Sequence, residues 1–204
     1  MKYLALGDSI SIDDYTGVAG GGAASQFARL IDADVVWDVT RDGCTTAGVL
    51  EALQGVHVAP DVVTLTAGGN DLLQALAWDA AGDRASPAAQ PLRNLERIAA
   101  TLRTYACPVI VNTVYDPTDG SDLLAEELTL PPEMRLAFNE LNDGIRALAR
   151  ANGFLLSDLE VLFAGHGARS AETWIVLDIE PNHAGATVIA RHWYTLFTAA
   201  ATGA

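Results

Sequence analysis

The sequence predicts an α/β protein in which a parallel sheet of five short strands is covered by helices on both faces. Five short apolar runs alternate with segments of helical periodicity, which is typical of such sheets. The chain of 204 residues is long enough to bury a full core, and it shows no internal repeat. We therefore expect a single domain over residues 1–204. The expected strand order is 2-1-3-4-5, that of a flavodoxin-like doubly wound sheet.

The predicted strands are short, and most of them run into polar or glycine-bearing loops. They cover residues 1–6, 34–39, 62–66, 108–114 and 154–157. The predicted helices cover residues 23–31, 45–53, 72–78, 92–105, 131–152 and 184–198. Pro132 near the start of the longest helix and Gly153 just after it are typical start and stop signals.

The charge balance argues against several classes of partner. The formal net charge is −14, and Lys2 is the only lysine. With 26 acidic residues against 12 basic ones, the chain has no excess positive charge with which to bind a nucleic-acid backbone or an anionic membrane surface. No apolar run approaches the roughly 20 residues that span a bilayer, and the N-terminus lacks the pattern of a signal peptide. We expect no nucleic-acid partner, no membrane insertion and a cytoplasmic location, and the oligomeric state stays open.

Metal, disulfide and nucleotide chemistry are not indicated. Cys44 and Cys107 are too few for a disulfide framework or a metal knuckle, so both are expected to be free thiols. The His and Asp residues do not have the spacing of metal ligands. The stretch 20–22 is three glycines without the lysine of a phosphate-binding loop. The sequence therefore predicts no metal and no cofactor.

The first predicted strand ends abruptly in Gly7-Asp8-Ser9. Gly7 can take a sharp turn because it has no Cβ to clash at positive φ. Ser9 then follows the carboxyl end of a strand, where a parallel α/β sheet presents its ligands. A serine at this place can be a nucleophile if other residues supply a base and an oxyanion hole.

Two later loops supply candidate donors for an oxyanion hole. Gly43 follows the second predicted strand, and Asn70 follows the third within Gly68-Gly69-Asn70-Asp71. The backbone N–H groups of Ser9 and Gly43 and the side-chain amide of Asn70 would together make three donors. The neighbours of these donors are candidate substrate-binding residues: Asp8, Gly69 and Asp71.

These three motifs resemble, in order, the first three sequence blocks of the SGNH (GDSL) hydrolases. The resemblance covers the whole chain in order and in strand placement. It implies a three-layer α/β/α fold and the hydrolysis of esters or thioesters. It also implies that Ser9 is the nucleophile and that Gly43 and Asn70 complete the oxyanion hole.

The fourth block departs from the family pattern, which is usually Asp-x-x-His-Pro-Asn with the histidine as general base. Here the stretch 177–185 contains Glu-Pro-Asn. Aligning the Pro-Asn pair puts Glu180 at the histidine position, as in a variant subset of the family. Aligning on an acid followed three residues later by a histidine instead pairs Glu180 with His183. The backbone residues of this stretch favour the first alignment.

The general base therefore stays open between three side chains. Glu180 can accept the serine proton if burial raises its pKa. His166 lies between two glycines just upstream, and Glu180 or Asp178 could orient it. His183 is the third candidate.

The predicted function is that of a serine hydrolase acting on a small-molecule ester, as an esterase, thioesterase or lipase-like acylhydrolase. The alternative is a catalytically weak or inactive binding protein on the same scaffold, because the usual histidine is replaced. A third reading is a flavodoxin-like protein that binds a small ligand. Trp78 and Trp174 are candidates to line an acyl or aromatic pocket.

Overall fold

The computed structural model describes residues 1–77, 86–124 and 129–202. Their central element is a sheet of five strands. The strands are β1 (Lys2–Gly7), β2 (Val35–Asp38), β3 (Val62–Thr66), β4 (Val109–Asn112) and β5 (Leu155–Ser157). All four pairings are parallel, and the order is β2-β1-β3-β4-β5. The predicted fold class and strand order are confirmed.

Helices flank this sheet. They are α1 (Ala23–Leu30), α2 (Thr46–Gln54), α3 (Gly69–Ala77), α4 (Ala89–Leu102), α5 (Pro132–Asn152), α6 (Leu159–Leu162) and α7 (His183–Thr202). A single 3₁₀ turn, Arg103–Tyr105, follows α4. Gly153 ends α5 with φ 67°, as its position in the sequence predicts. Trp78 lies outside the described residues.

Two apolar layers enclose β1. Leu4 and Leu6 point to one face and pack in the cluster that includes residues of α2, α4 and α5. Tyr3 and Ala5 point to the other face and pack in the cluster that includes residues of α1 and α7. Successive strand residues face opposite sides, so burial of both faces makes β1 a continuous apolar run. This strand anchors the loop that carries Ser9.

Two elements are absent from the sequence prediction. One is the short helix α6, and the other is a hairpin of β6 (Ile175–Val176) and β7 (Glu180–Pro181), paired antiparallel. Strands of two residues have no measurable alternation, so the pattern of apolar residues does not reveal them. The hairpin is the element that carries Glu180. Within the described ranges, no helix is both long and apolar enough to cross a membrane.

Candidate active site

The turn at Gly7 sets the position of Ser9. Gly7 ends β1 with φ 134°, and a Cβ there would lie 2.0 Å from the carbonyl oxygen of Thr66. A glycine is therefore required where β1 passes so close to β3. The chain then turns, with the Ser11 N–H donating to the Asp8 carbonyl at 3.2 Å. Ser9 is left at the carboxyl edge of the sheet, with 6% of its surface exposed.

Ser9 lines a cleft of about 750 Å³, a volume that includes its open mouth. Asp8, Gly69, Asn70 and Glu180 line the same cleft. The structure thus brings together residues that follow β1, residues that begin α3 and a residue of the hairpin. The rest of the lining is mostly apolar and includes Ile10, Leu72, Leu73, Leu76, Val114, Tyr115, Leu124, Leu130, Met134, Phe138 and Ile179.

The hairpin that carries Glu180 is fixed at its tip and at its base. At the tip, Leu177 and Asp178 have φ values of 50° and 66°, the left-handed conformation of a tight turn. At the base, the Asn182 N–H donates to the carbonyl of Trp174 at 2.9 Å. The carbonyl of Ile179 accepts a hydrogen bond from the hydroxyl of Tyr115. These contacts hold Glu180 at the cleft rather than in solvent.

Asn182 and Gly185 stabilise the backbone next to Glu180. The Asn182 side-chain oxygen accepts the N–H groups of Ala184 at 2.9 Å and Gly185 at 3.1 Å, which caps the start of α7. A Cβ at Gly185 would lie 2.6 Å from the Trp174 carbonyl oxygen. The two residues thus have backbone roles, and the residue just before Pro181 is the one that faces the cleft.

Glu180 is 7% exposed, and its carboxyl lies near Ser9. Burial raises the pKa of this carboxyl, hydrogen bonding with the Ser9 side chain lowers it, and the charge of Asp42 raises it again. Its Oε2 atom is buried and has no hydrogen-bond partner among the described residues. A carboxylate that is poorly solvated and lies close to a hydroxyl is suited to accept the proton of that hydroxyl.

Asp8 is a second buried carboxyl near Glu180. Burial raises the pKa of Asp8 to about 7, against the lowering effect of hydrogen bonds from Thr66 and the Ile10 N–H, and the charge of Glu180 raises it further. Asp8 therefore keeps its proton up to about pH 7. Below that pH, Asp8 does not repel the ionised form of Glu180.

Three N–H donors are available around this edge of the sheet. Asn70 lies in the first turn of α3, and its Nδ2 donates to the Cys44 carbonyl at 3.2 Å, which leaves its second hydrogen free. This bond holds the loop with Gly43 beside Asn70. Gly43 is exposed, has φ 65° and is outside the cleft lining. In the described part of the chain, the N–H groups of Ser9 and Gly43 donate to no protein acceptor.

Three candidate residues lie outside the cleft lining. The ring of His166 stacks on Trp174, with 3.6 Å between ring centroids and an interplanar angle of 2°. Its Nδ1 is 2.8 Å from the Glu172 carbonyl oxygen. His183 is exposed at the first residue of α7, and Asp178 is exposed at the tip of the hairpin. The structure thus gathers Ser9 with Glu180 and with neither histidine.

Asp71 also lies outside the lining and joins two helices. Its carboxylate accepts the Thr46 N–H at 2.9 Å and the Thr46 hydroxyl at 2.7 Å. The Thr46 hydroxyl in turn accepts from Asn94 at 2.9 Å. These bonds tie the first turn of α3, which includes Asn70, to α2. Asp71 is therefore placed to fix the position of Asn70, the candidate hydrogen-bond donor, rather than to contact a ligand.

Sequence reasoning did not identify the apolar residues that line the cleft, nor the role of Tyr115 in supporting the hairpin. The ring of Tyr115 stacks on Phe163 with 4.4 Å between centroids, and its hydroxyl donates a hydrogen bond to the Ile179 carbonyl. Trp174 packs on Phe163 and His166 instead of lining the cleft. The wall residues of α3 and α5 have the spacing of any core-facing helix, so no pattern distinguishes them.

The fold and the site define an α/β/α protein with a cleft at the carboxyl edge of the sheet. A serine and a buried glutamate both line this cleft. This chain belongs to the GDSL-like lipase/acylhydrolase family, whose model matches residues 5–188. No curated protein sequence matches the chain.

Solved structures share the fold at low sequence identity. The lipase Lip_vut3 from a goat rumen metagenome has a TM-score of 0.76 and 18% identity, covering 96% of this chain and 97% of that one. A putative GDSL-like lipase from Parabacteroides merdae has a TM-score of 0.73 and 16% identity, covering 97% and 95%. The acetyl xylan esterase AlAXEase has a TM-score of 0.72 and 18% identity, covering 96% and 98%.

Proposed function

We propose that this protein is a serine acylhydrolase in which Glu180 takes the role that a histidine usually has. The observation that carries the proposal is that Ser9 and the buried Glu180 line the same cleft, where the Ser9 side chain lowers the pKa of the Glu180 carboxyl. The family adds support for acyl transfer to water. The substrate is a carboxylic ester, and Ser9 forms the acyl-enzyme.

The reaction proceeds in two balanced steps. In the first, Glu180 accepts the proton of the Ser9 hydroxyl as Oγ attacks the carbonyl carbon, and the protonated Glu180 then gives that proton to the leaving alcohol oxygen. In the second, Glu180 takes a proton from water, which attacks the acyl-enzyme and releases the acid. The proton returns to Ser9 Oγ, so the enzyme is restored.

The negative charge that develops on the carbonyl oxygen needs donors. The N–H of Ser9, the N–H of Gly43 and the free hydrogen of Asn70 Nδ2 provide them. Because these groups are fixed by the turn at Gly7 and by the bond to Cys44, little reorganisation is required when the charge forms.

The pH dependence of kcat/KM tests this assignment. Glu180 must be ionised to act as base, and its pKa is raised above the ordinary value of 4.5. Activity toward p-nitrophenyl butyrate is therefore expected to be lost as the pH falls through that raised pKa and to reach a plateau above it. His166→Ala is the control and is expected to leave the profile in place.

Two outcomes contradict the assignment. If His166→Ala or His183→Ala removes the acid limb of the profile, that histidine is the base. If the wild-type protein hydrolyses no p-nitrophenyl ester at any pH, the alternative of a binding protein on this scaffold is favoured.

Removing the side-chain amide of Asn70 tests the oxyanion hole. We expect Asn70→Ala to lower kcat by about 10² to 10³, the usual effect of losing one such donor. Asp71→Asn is a matched control, because it weakens the link to Thr46 without removing a donor from the cleft. A kcat for Asn70→Ala within about threefold of wild type would contradict the role, since this loss is far below that of an oxyanion donor.

A further inference from the structure

The hairpin of β6 and β7 that carries Glu180 is too small to fix its own position. Its ladder pairs two residues of each strand, Ile175 with Pro181 and Val176 with Glu180. Pro181 has no N–H to donate, and a two-stranded hairpin alone is marginally stable in water. Glu180 is nevertheless buried. The position of this carboxyl therefore depends on contacts from other elements.

The hydroxyl of Tyr115 supplies such a contact one residue before Glu180. It donates a hydrogen bond to the Ile179 carbonyl. In the described part of the chain, no other side chain bonds to the backbone of residues 177–181. Tyr115 is 3% exposed, and burial raises the pKa of its hydroxyl above the ordinary value of 10. The hydroxyl therefore remains a donor throughout the pH range in which a glutamate titrates.

An aromatic cluster of Tyr115, Phe163 and Trp174 supports both strands of the hairpin. The ring of Tyr115 is stacked on that of Phe163 with an interplanar angle of 9°. Trp174 packs edge-to-face on Phe163, with 5.3 Å between centroids. Trp174 comes just before β6, and Ile179, which Tyr115 holds, comes just before β7. The two strands thus enter the hairpin from the same buried cluster.

The backbone that presents Tyr115 is clamped by Asn142 of α5. The Asn142 side chain accepts the Val114 N–H at 2.8 Å and donates to the Val114 carbonyl at 2.8 Å. Its Nδ2 also donates to Glu160 Oε2 at 2.9 Å, and Arg146 donates to the same oxygen at 2.6 Å. The buried amide thus has both hydrogens and its oxygen engaged. This clamp fixes the residue before Tyr115.

Resting on the proposed function, we infer that Tyr115 is a positioning residue for the general base. Its hydroxyl fixes the Ile179 carbonyl and so sets the place from which Glu180 reaches the cleft. A general base must lie within hydrogen-bond reach of the proton it takes, so the position of the hairpin controls the rate. The ring of Tyr115 lines the cleft, but its one donor hydrogen is engaged by Ile179.

Tyr115→Phe tests this role, because it keeps the stacked ring and removes the hydroxyl. We expect kcat for p-nitrophenyl butyrate to fall by about 10- to 100-fold, the upper value being the cost of a misplacement of about 1 Å at a reacting group. The ring that lines the cleft remains, so kcat/KM should fall by the same factor with KM unchanged. Initial rates and thermal unfolding of the same samples provide the measurement.

Tyr3→Phe is the matched control. Tyr3 is also a buried tyrosine, its hydroxyl is 2.6 Å from that of Thr64, and its ring packs edge-to-face on Phe27 at 5.2 Å. It lies outside the cleft lining. Both variants lose one buried hydroxyl and should lose some thermal stability, but kcat should fall in Tyr115→Phe alone. Equal falls in kcat would mean that Tyr115 has a merely structural role and would overturn the inference.

The Glu180→Gln background tests whether Tyr115 acts through the base. There, Tyr115→Phe should lower the remaining kcat by less than about twofold, because residues that act as a unit have non-additive effects. A fall as large as that in the wild-type background would mean that Tyr115 acts on the ester independently of Glu180, which overturns the inference.

A ¹³C NMR titration of the carboxyl groups reports on Glu180 without catalysis. The Glu180 signal is the one that is absent from Glu180→Gln. Without the Tyr115 hydroxyl, water gains access to the hairpin, so the pKa of Glu180 is expected to fall toward the ordinary value of 4.5. Tyr3→Phe should leave this pKa unchanged. The other titratable groups whose charges are coupled to that of Glu180 are Asp8, Tyr15, Asp42 and Tyr115.

The outcomes separate this inference from the proposed function. A kcat for Tyr115→Phe within about twofold of wild type, in an enzyme that Glu180→Gln inactivates, overturns the inference and leaves the proposed function standing. If the wild-type protein cleaves no ester, the proposed function is overturned, and the titration then decides whether Tyr115 positions Glu180. A lower pKa of Glu180 in Tyr115→Phe supports the positioning role, and an unchanged pKa overturns it.

Discussion

Ser9→Ala is expected to lower kcat/KM for p-nitrophenyl butyrate by about 10⁴-fold or more. The alanine removes the Oγ atom that forms the acyl-enzyme, so only the binding and oxyanion contributions remain. The substitution adds no bulk, and Ser9 contributes no packed apolar group, so the fold should persist. Initial rates over a substrate range, with circular dichroism and thermal unfolding of the same samples, provide the measurement.

Ser11→Ala is the control for this prediction. Ser11 is buried two residues further along, and its hydroxyl is 3.0 Å from the Thr66 hydroxyl rather than in the cleft. Its loss should reduce stability by about 1 kcal/mol, the usual net worth of one hydrogen bond, and should leave most of the activity. Ester hydrolysis by Ser9→Ala at more than a tenth of the wild-type rate would contradict the nucleophile assignment.

Glu180→Gln is expected to reduce kcat/KM by about 10³-fold, within the range of losing a general base. The amide has the size of the carboxyl and accepts no proton at neutral pH. The comparison set is Asp178→Asn, His166→Ala and His183→Ala, which remove the other titratable groups considered for the site and should retain most activity. A loss in either histidine variant that matches the loss in Glu180→Gln would contradict the assignment.

Glu180→Gln is expected to lower activity but not to lower the stability of the fold near neutral pH. Because the folded-state pKa of Glu180 is raised, the folded protein holds this proton more tightly than the unfolded chain. The ionised carboxylate thus costs stability once the pH rises through the raised pKa, and costs none below the unfolded value. Glu180→Gln should therefore unfold at no lower temperature than wild type near neutral pH. A large drop in its unfolding temperature would mean that Glu180 has mainly a structural role.

Much of the scaffold could be read from the sequence. The alternation of apolar runs with helical segments predicted the five strands, since parallel strands buried on both faces must be apolar throughout. Their order was predicted from the doubly wound fold class that this alternation indicates. Pro132 and Gly153 marked the ends of α5 because their backbone preferences are local. The short hairpin escaped prediction, because it depends on partners far away in sequence, such as the Tyr115 hydroxyl on Ile179.

The residues of the candidate site were also only partly predictable from the sequence. Ser9, Gly43 and Asn70 were proposed from sequence because each stands in a short motif that follows a predicted strand. The base could not be chosen, because Glu180, His166 and His183 are all chemically able to take a proton. In the structure, stacking on Trp174 holds His166 away and the start of α7 exposes His183. Glu180 is the candidate for the base that lines the same cleft as Ser9.

The sequence by itself determined the five strands and the strand-end motifs, because these depend on local backbone preference and on the period of apolar residues. The strand order followed from the doubly wound fold class that these strands indicate. Only the tertiary structure decided which carboxyl faces Ser9, how burial raises the pKa of Glu180 and Asp8, and where the cleft walls lie. These properties depend on distances between segments that are remote in the chain. Burial and charge act through space, so no spacing along the sequence encodes them directly.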